Sequence, residues 1–338
     1  MKRSIIVVLA LVLGLAQIYA GAKAEDKAPG GGSNAAALEL LRVGVMTDST
    51  TDYALSIGES EGIWVKNGLK IESAGFAMGI NTIDAVTLGQ MDVGFGADFA
   101  VLNRLGGSAT SPLRIFAGLG ASSPDSWKYY AREDLKTPAD LAGKSSVVQL
   151  GTVVEYWLSK TLSNFKVNPA SVKLLPVESP MEGVALVQNG SAAGMWASAR
   201  AAETVSKIPG VHAIADLSGT GAPTVSVVLA TEQFLKEHQS AAAKYLKSMQ
   251  EIWDFMDKNP QRAAEIINKA SGTPVEQVLI NLQAGSRYIK FDQEVFDTLQ
   301  NLYNWTNEQG IIKYPYDLKK YINVDALNAA YPGREQFK

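Results

Sequence analysis

A short apolar run, Leu41–Met46, leads through a polar loop, Thr47–Thr51, into an amphipathic stretch, Tyr53–Lys66, and a second apolar run opens at Leu69. This strand–loop–helix–strand order constrains the fold most. Parallel strands need a long crossover, usually a helix, so the chain must build α/β layers. The pattern recurs. Candidate strands are Leu41–Met46, Leu69–Ser73, Asp92–Phe95, Arg114–Leu119 and Lys128–Ala131. A second set follows at Ser146–Leu150, Val172–Val177, Ala193–Trp196 and His212–Asp216. Helices between them carry apolar residues three and four apart, as at Val153, Tyr156, Trp157 and Leu162. Thr224–Ala230 reads as a strand that returns the chain to the first set. From Thr231 onward helices dominate: Thr231–Glu237, Ser240–Asp257, Pro260–Lys269, Thr273–Arg287 and Asp292–Glu308.

A chain of 338 residues exceeds the usual single core, so two lobes are expected. The boundaries read as 41–131 and 223–338 for the first lobe and 132–222 for the second. Crossovers are expected near Tyr129–Glu133 and Ala222–Val227. The N-terminus has the form of a targeting segment. Lys2 and Arg3 precede the apolar Ile5–Ala16, and Ala22-Lys23-Ala24 fits a small-x-small cleavage site, giving a signal peptide over 1–24. Residues 25–40, with Gly30-Gly31-Gly32-Ser33, read as a flexible leader. A net charge of -3 argues against nucleic-acid binding. The absence of cysteine excludes disulfides, thiol nucleophiles and a lipid-anchored cysteine, which favours release into a Gram-negative periplasm.

In open α/β sheets, ligands collect at the carboxyl ends of the strands, where helix N-termini converge. Thr47, Asp48, Asp52 and Tyr53 follow the first strand. Gly96, Asp98 and Phe99 follow the third, and Ser122 follows the fourth. Gly151, Thr152, Val153 and Glu155 begin a helix in the second set, and Trp196, Ser198 and Arg200 end a later strand. Each has a structural alternative. Asp52, Asp98 and Glu155 are equally suited to cap helices, the aromatics to fill a core, and Arg200 to sit on a solvated face.

Several segments together resemble the nitrate/sulfonate/taurine-type solute-binding proteins of bacterial ABC importers (SsuA/NMT1-like). They include the opening 41–73, GQMDVGFG at Gly89–Gly96, REDLKTPADLAGKSSVV at Arg132–Val148 and GTVVEYWL at Gly151–Leu158. MEGVALVQNGSAAGMW at Met181–Trp196 and GIIKYPYDLKKYI at Gly310–Ile322 continue the match. The resemblance implies an α/β, two-lobed periplasmic-binding-protein fold (type II), with a helical C-terminal segment packed on the first lobe. It further implies a monomer without cofactors that captures a small-molecule solute and hands it to ABC permease subunits in the inner membrane. The family often follows Trp196 with an acid, a proline and an aromatic. Here Ala197, Ser198, Ala199 and Arg200 stand instead, so recognition of an amine by that acid is not implied. Asp48, Asp52, Asp98 and Glu155 favour a nitrogen-containing solute, which is the expectation over a simple inorganic anion, although the family implies an oxyanion such as an organic sulfonate, nitrate or a carboxylate. The alternatives are an enzyme of the same fold, such as the pyrimidine-precursor branch, or a periplasmic sensor. The two histidines, His212 and His238, lack metal-ligand spacing, and no nucleophile elbow or phosphate loop is present, so no enzyme is expected.

Overall fold

The computed structural model describes residues 37–337 except 221, 223 and 284. The expected signal peptide and most of the leader lie outside these residues. The first lobe opens with β1 (Glu39–Met46), α1 (Thr50–Ser60), α2 (Ile63–Lys66), β2 (Leu69–Phe76), α3 (Gly79–Thr87), β3 (Val93–Ala97), α4 (Asp98–Leu105) and β4 (Leu113–Ser122). The second comprises β5 (Lys128–Arg132), β6 (Ser145–Val148), α5 (Val153–Asn164), β7 (Lys173–Pro176), α6 (Pro180–Gln188), β8 (Gly194–Ala197), α7 (Ala199–Ser206) and β9 (Val211–Asp216). The chain then returns through β10 (Val225–Thr231), α8 (Glu232–Glu237), α9 (Gln239–Lys258), α10 (Pro260–Ser271), α11 (Val275–Leu282), β11 (Gly285–Lys290), α12 (Gln293–Glu308) and α13 (Asp325–Ala330).

The first sheet has the order β11-β4-β10-β3-β1-β2 and the second β7-β6-β8-β5-β9. β1 is parallel to β2 and β3, while β10 runs antiparallel to β3 and β4. The carboxyl ends of β1–β4 therefore share an edge with the start of β10. In the second lobe β6 is parallel to β7 and β8, and β5 runs against β8 and β9. Both crossovers, from Ser122 to Lys128 and from Asp216 to Val225, leave and enter on these edges.

Several expected boundaries move. β5 pairs only with second-lobe strands, so the first crossing precedes Lys128 and does not occupy Tyr129–Glu133. Val225–Val227, expected in the return crossing, already belongs to β10. β1 begins at Glu39, inside the expected leader. The helix expected over Tyr53–Lys66 divides into α1 and α2, because Gly62 adopts φ +66 and ends the first run. The helix expected over Thr273–Arg287 stops at Leu282, and Gly285–Lys290 forms an edge strand instead. Two glycines make that pairing possible. A Cβ on Gly285 would lie 2.4 Å from the Ala121 carbonyl oxygen, and one on Gly120 would lie 2.2 Å from that of Ser286.

The late helices pack on the first lobe. α9 lies against α1, α2, β1 and β2, α10 against α1, and α12 against α4. One apolar core runs through this lobe and into the second, taking in Phe99, Leu229, Trp253 and Leu299 together with Tyr129, Trp157 and Trp196. A separate cluster, Val147, Val184, Val187, Met195 and Val205, fills the opposite face of the second sheet. Alternation along β6 and β8 explains the division, since Val147 and Met195 face one layer while Val148 and Trp196 face the other.

Candidate functional site

The loop after β1 is closed by its own residues. Asp48 is left-handed at φ 58, and its N–H donates to Asp52 Oδ2 at 3.0 Å. Partial burial raises the Asp52 carboxyl above its usual range. Ser49 caps α1 by accepting the Asp52 N–H, and Thr47 donates its N–H to the Phe76 carbonyl at 3.0 Å. Tyr53 is buried, and its hydroxyl accepts a hydrogen bond from Asn281 Nδ2 at 3.0 Å.

Asp98 starts α4 and has no exposed surface. Its carboxylate accepts the Phe99 N–H at 2.8 Å and the Val225 N–H at 2.9 Å. Burial pushes its pKa up to about 7 against these two bonds. Gly96 lets β3 approach α3, since a Cβ there would meet Ile83 Cδ1 at 2.9 Å. Ser122 is exposed at the end of β4, with its N–H turned to the Thr224 carbonyl at 3.4 Å.

Across the lobes, Gly151 takes φ +71 and donates its N–H to Glu155 Oε2 at 2.8 Å. Thr152 caps α5 by accepting the Val154 N–H, and Val153 is buried. Of the four carboxylates expected to suit a solute, Asp52, Asp98 and Glu155 therefore each accept backbone N–H groups, while the exposed Asp48 accepts the Thr273 hydroxyl at 3.3 Å. Trp196 is buried and packs at 5.7 Å from Tyr129 and 6.0 Å from Trp157, measured between ring centroids. The indole N–H groups of Trp157 and Trp196 are buried and have no hydrogen-bond partner among the described residues.

The start of α7 differs from the other sites. Ser198 occupies the capping position but makes no side-chain cap bond, and Ala199 adopts φ 45. Arg200 is exposed, and its guanidinium makes no hydrogen bond or ion pair among the described residues. A left-handed non-glycine residue thus stands beside a helix start without a side-chain cap and an exposed guanidinium.

The two lobes meet along an aromatic seam absent from the sequence reading. Tyr156 of α5 packs 6.4 Å from Phe99 and 4.7 Å from Trp305 of α12, between ring centroids. Burial raises the Tyr156 hydroxyl pKa to about 12, with the nearby Asp98 charge adding to the shift. Gln149 Nε2 donates to Met78 Sδ at 3.4 Å, and a Cβ on Gly151 would lie 3.7 Å from both Asn103 and Ile80. The lobes are therefore in contact from β6 and α5 to α3, α4 and α12. Trp305 and Met78 carry no local sign of this role. Each reads as an ordinary amphipathic or loop residue until the fold brings the lobes together.

Residues 51–263 match the family described as NMT1/THI5 like. The chain belongs to this family. A candidate binding protein of Brucella abortus is 24% identical over 302 residues, covering 86% of this chain and 92% of its own. The periplasmic aliphatic sulphonate binding protein SsuA of Escherichia coli superposes with a TM-score of 0.73 at 18% identity, over 84% of this chain and 92% of that one. The desulfurization enzyme DSZB superposes with a TM-score of 0.65 at 14% identity, over 86% and 98% of the two chains. The NMT1/THI5-like chain thus has the two-lobed periplasmic-binding-protein fold, which carries both binding proteins and an enzyme. Among its described residues no helix is long and apolar enough to cross a membrane.

Proposed function

We propose that this NMT1/THI5-like protein is the periplasmic solute-binding component of an ABC importer and not an enzyme. In this reading it works as a monomer and uses no cofactor. It holds a small organic solute between its lobes and presents it to permease subunits in the inner membrane. The solute carries an oxyanion, a sulfonate or carboxylate, at one end. One observation carries the choice of charge: the carboxylates Asp52, Asp98 and Glu155 accept backbone N–H groups, whereas Ser198, Arg200 and the uncapped start of α7 offer free donors. The sulphonate-binding fold neighbour supports the same direction. Closure of two lobes hides such a solute from water and creates the surface that a permease reads.

A thermal-shift screen of alkyl sulfonates, carboxylates and amines tests this reading. A binder at a hundred times its dissociation constant stabilises by roughly 2.7 kcal/mol. Sulfonates or carboxylates should raise the melting temperature, and Arg200→Gln with Ser198→Ala should remove that shift. A cationic amine as the tightest ligand would overturn the oxyanion assignment. Chemical turnover of the bound compound would instead favour an enzyme of this fold.

A further inference from the structure

We propose a second anion site, for a phosphate group, at the pole of the second lobe opposite the cleft. A depression of about 370 Å³ opens there. It is built by the second sheet itself. Lys173 is the first residue of β7, Lys144 immediately precedes β6, and Arg132 is the last residue of the antiparallel β5. Because β5 runs against its neighbours, its end meets their beginnings. The Lys173 N–H donates to the Lys144 carbonyl at 2.8 Å, and the Arg132 N–H to the Ala193 carbonyl at 3.0 Å. Strand pairing therefore fixes the bases of all three cations.

The charges in this depression do not balance. Asp134 is the single carboxylate in its lining, against three cations. It pairs with Lys144 at 3.1 Å, a bond that holds its carboxyl below the usual range. Arg132 and Lys173 make no side-chain hydrogen bond or ion pair among the described residues. Gly190 supplies the seat for the guanidinium. It turns at φ +81, and a Cβ there would lie 3.0 Å from Arg132 Nη1. Gly143, at φ +76 on the same rim, has no atom within 4 Å of the space a Cβ would fill, which leaves that side open. An Arg fork and a Lys point charge across one concavity suit the several oxygens of a phosphate. The neighbouring backbone N–H groups of Gly143, Lys144, Gly190 and Ala193 are already bonded. Binding therefore rests on exposed side chains and should weaken as salt rises. The phosphate could be free or soluble, or belong to a lipid headgroup.

Titration of the full chain with inorganic phosphate at low salt, followed by amide NMR, tests the site. Saturable shifts should centre on residues 132, 144, 173 and 190. Arg132→Gln combined with Lys173→Gln should weaken binding about tenfold or more, while the exposed Lys269→Gln in α10 should leave it unchanged. Both lining side chains are exposed, and a circular-dichroism melt verifies that the double variant folds. Co-sedimentation with phosphatidylglycerol vesicles, set against phosphatidylcholine alone, separates the two sources. Sedimentation that the double variant loses assigns a headgroup. Phosphate shifts without sedimentation assign a soluble phosphate. Absence of saturable shifts, or a double variant that titrates like the parent, overturns the proposal.

Discussion

Asp98 accepts the Val225 N–H at 2.9 Å, so a carboxylate at the start of α4 holds the residue at which the chain re-enters the first sheet. The bond ties a first-lobe helix to the end of the return crossover. It is fully buried, and Asp98 has no ion-pair partner among the described residues. Tyr156 and Tyr288 are the titratable groups that feel its charge.

This arrangement makes stability depend on pH. The folded-state pKa of Asp98 is raised from 3.8 to about 7, so the folded protein binds the proton more tightly than the unfolded chain. That contribution is fully present below about pH 4 and is lost as pH rises through about 7. Its full size is on the order of 4 kcal/mol. Asp98→Asn removes the titration but sets an amide NH2 against one of the two backbone donors. Urea denaturation should show the variant less stable than the parent at pH 5, with the gap narrowing or reversing by about 2–4 kcal/mol at pH 8. A gap independent of pH would show that Asp98 does not titrate in this range.

The seam predicts a separable effect on lobe contact. Tyr156 fills the space between Phe99 and Trp305, and its hydroxyl makes no hydrogen bond among the described residues. Tyr156→Phe should change stability by under about 0.5 kcal/mol, whereas Tyr156→Ala should cost about 3 kcal/mol through the cavity it leaves. In small-angle scattering, the alanine variant should have a larger radius of gyration than the ligand-free parent. An unchanged radius would mean that other contacts hold the lobes together.

Glu155 distinguishes a loop-closing acid from a solute ligand. Its Oε2 accepts the Gly151 N–H, a bond that glutamine can keep and alanine cannot. Glu155→Ala should lower stability by about 1 kcal/mol and Glu155→Gln by less. Calorimetric titration should find the same solute affinity in both variants. A loss of tenfold or more in the glutamine variant would return Glu155 to the binding site.

The edge strand β11 depends on two absent side chains. Gly285→Ala would force a Cβ against the Ala121 carbonyl and Gly120→Ala one against that of Ser286. Backbone atoms cannot rotate away as a side chain can. Each change should cost about 2 kcal/mol or more and should speed amide exchange across Ser286–Lys290. Unchanged exchange there would show that β11 shifts register at little cost.

Much of the layer order was legible. β1, β3 and β10 are apolar runs with clear punctuation, and the spacing of Val153, Tyr156, Trp157 and Leu162 marks α5. β11 was not legible, because GSRYIK follows a helical stretch and lacks an alternating apolar face. The sheet to which β5 belongs was hidden too, since strand pairing is a long-range choice that local composition does not encode.

The candidate site divides in the same way. Sequence alone placed Asp52, Asp98 and Glu155 at helix starts, where an acid either caps or binds, because position after a strand is a local property. The tertiary structure adds a partner that the sequence hides, by bringing Val225 to Asp98, whereas the bond from Gly151 to Glu155 closes within four residues and is local. Likewise, sequence determined that Tyr156 and Trp305 lie on helices. Their contact exists because the chain crosses to a second sheet and returns, and the free energy of burying aromatic surface is realised only once distant segments meet.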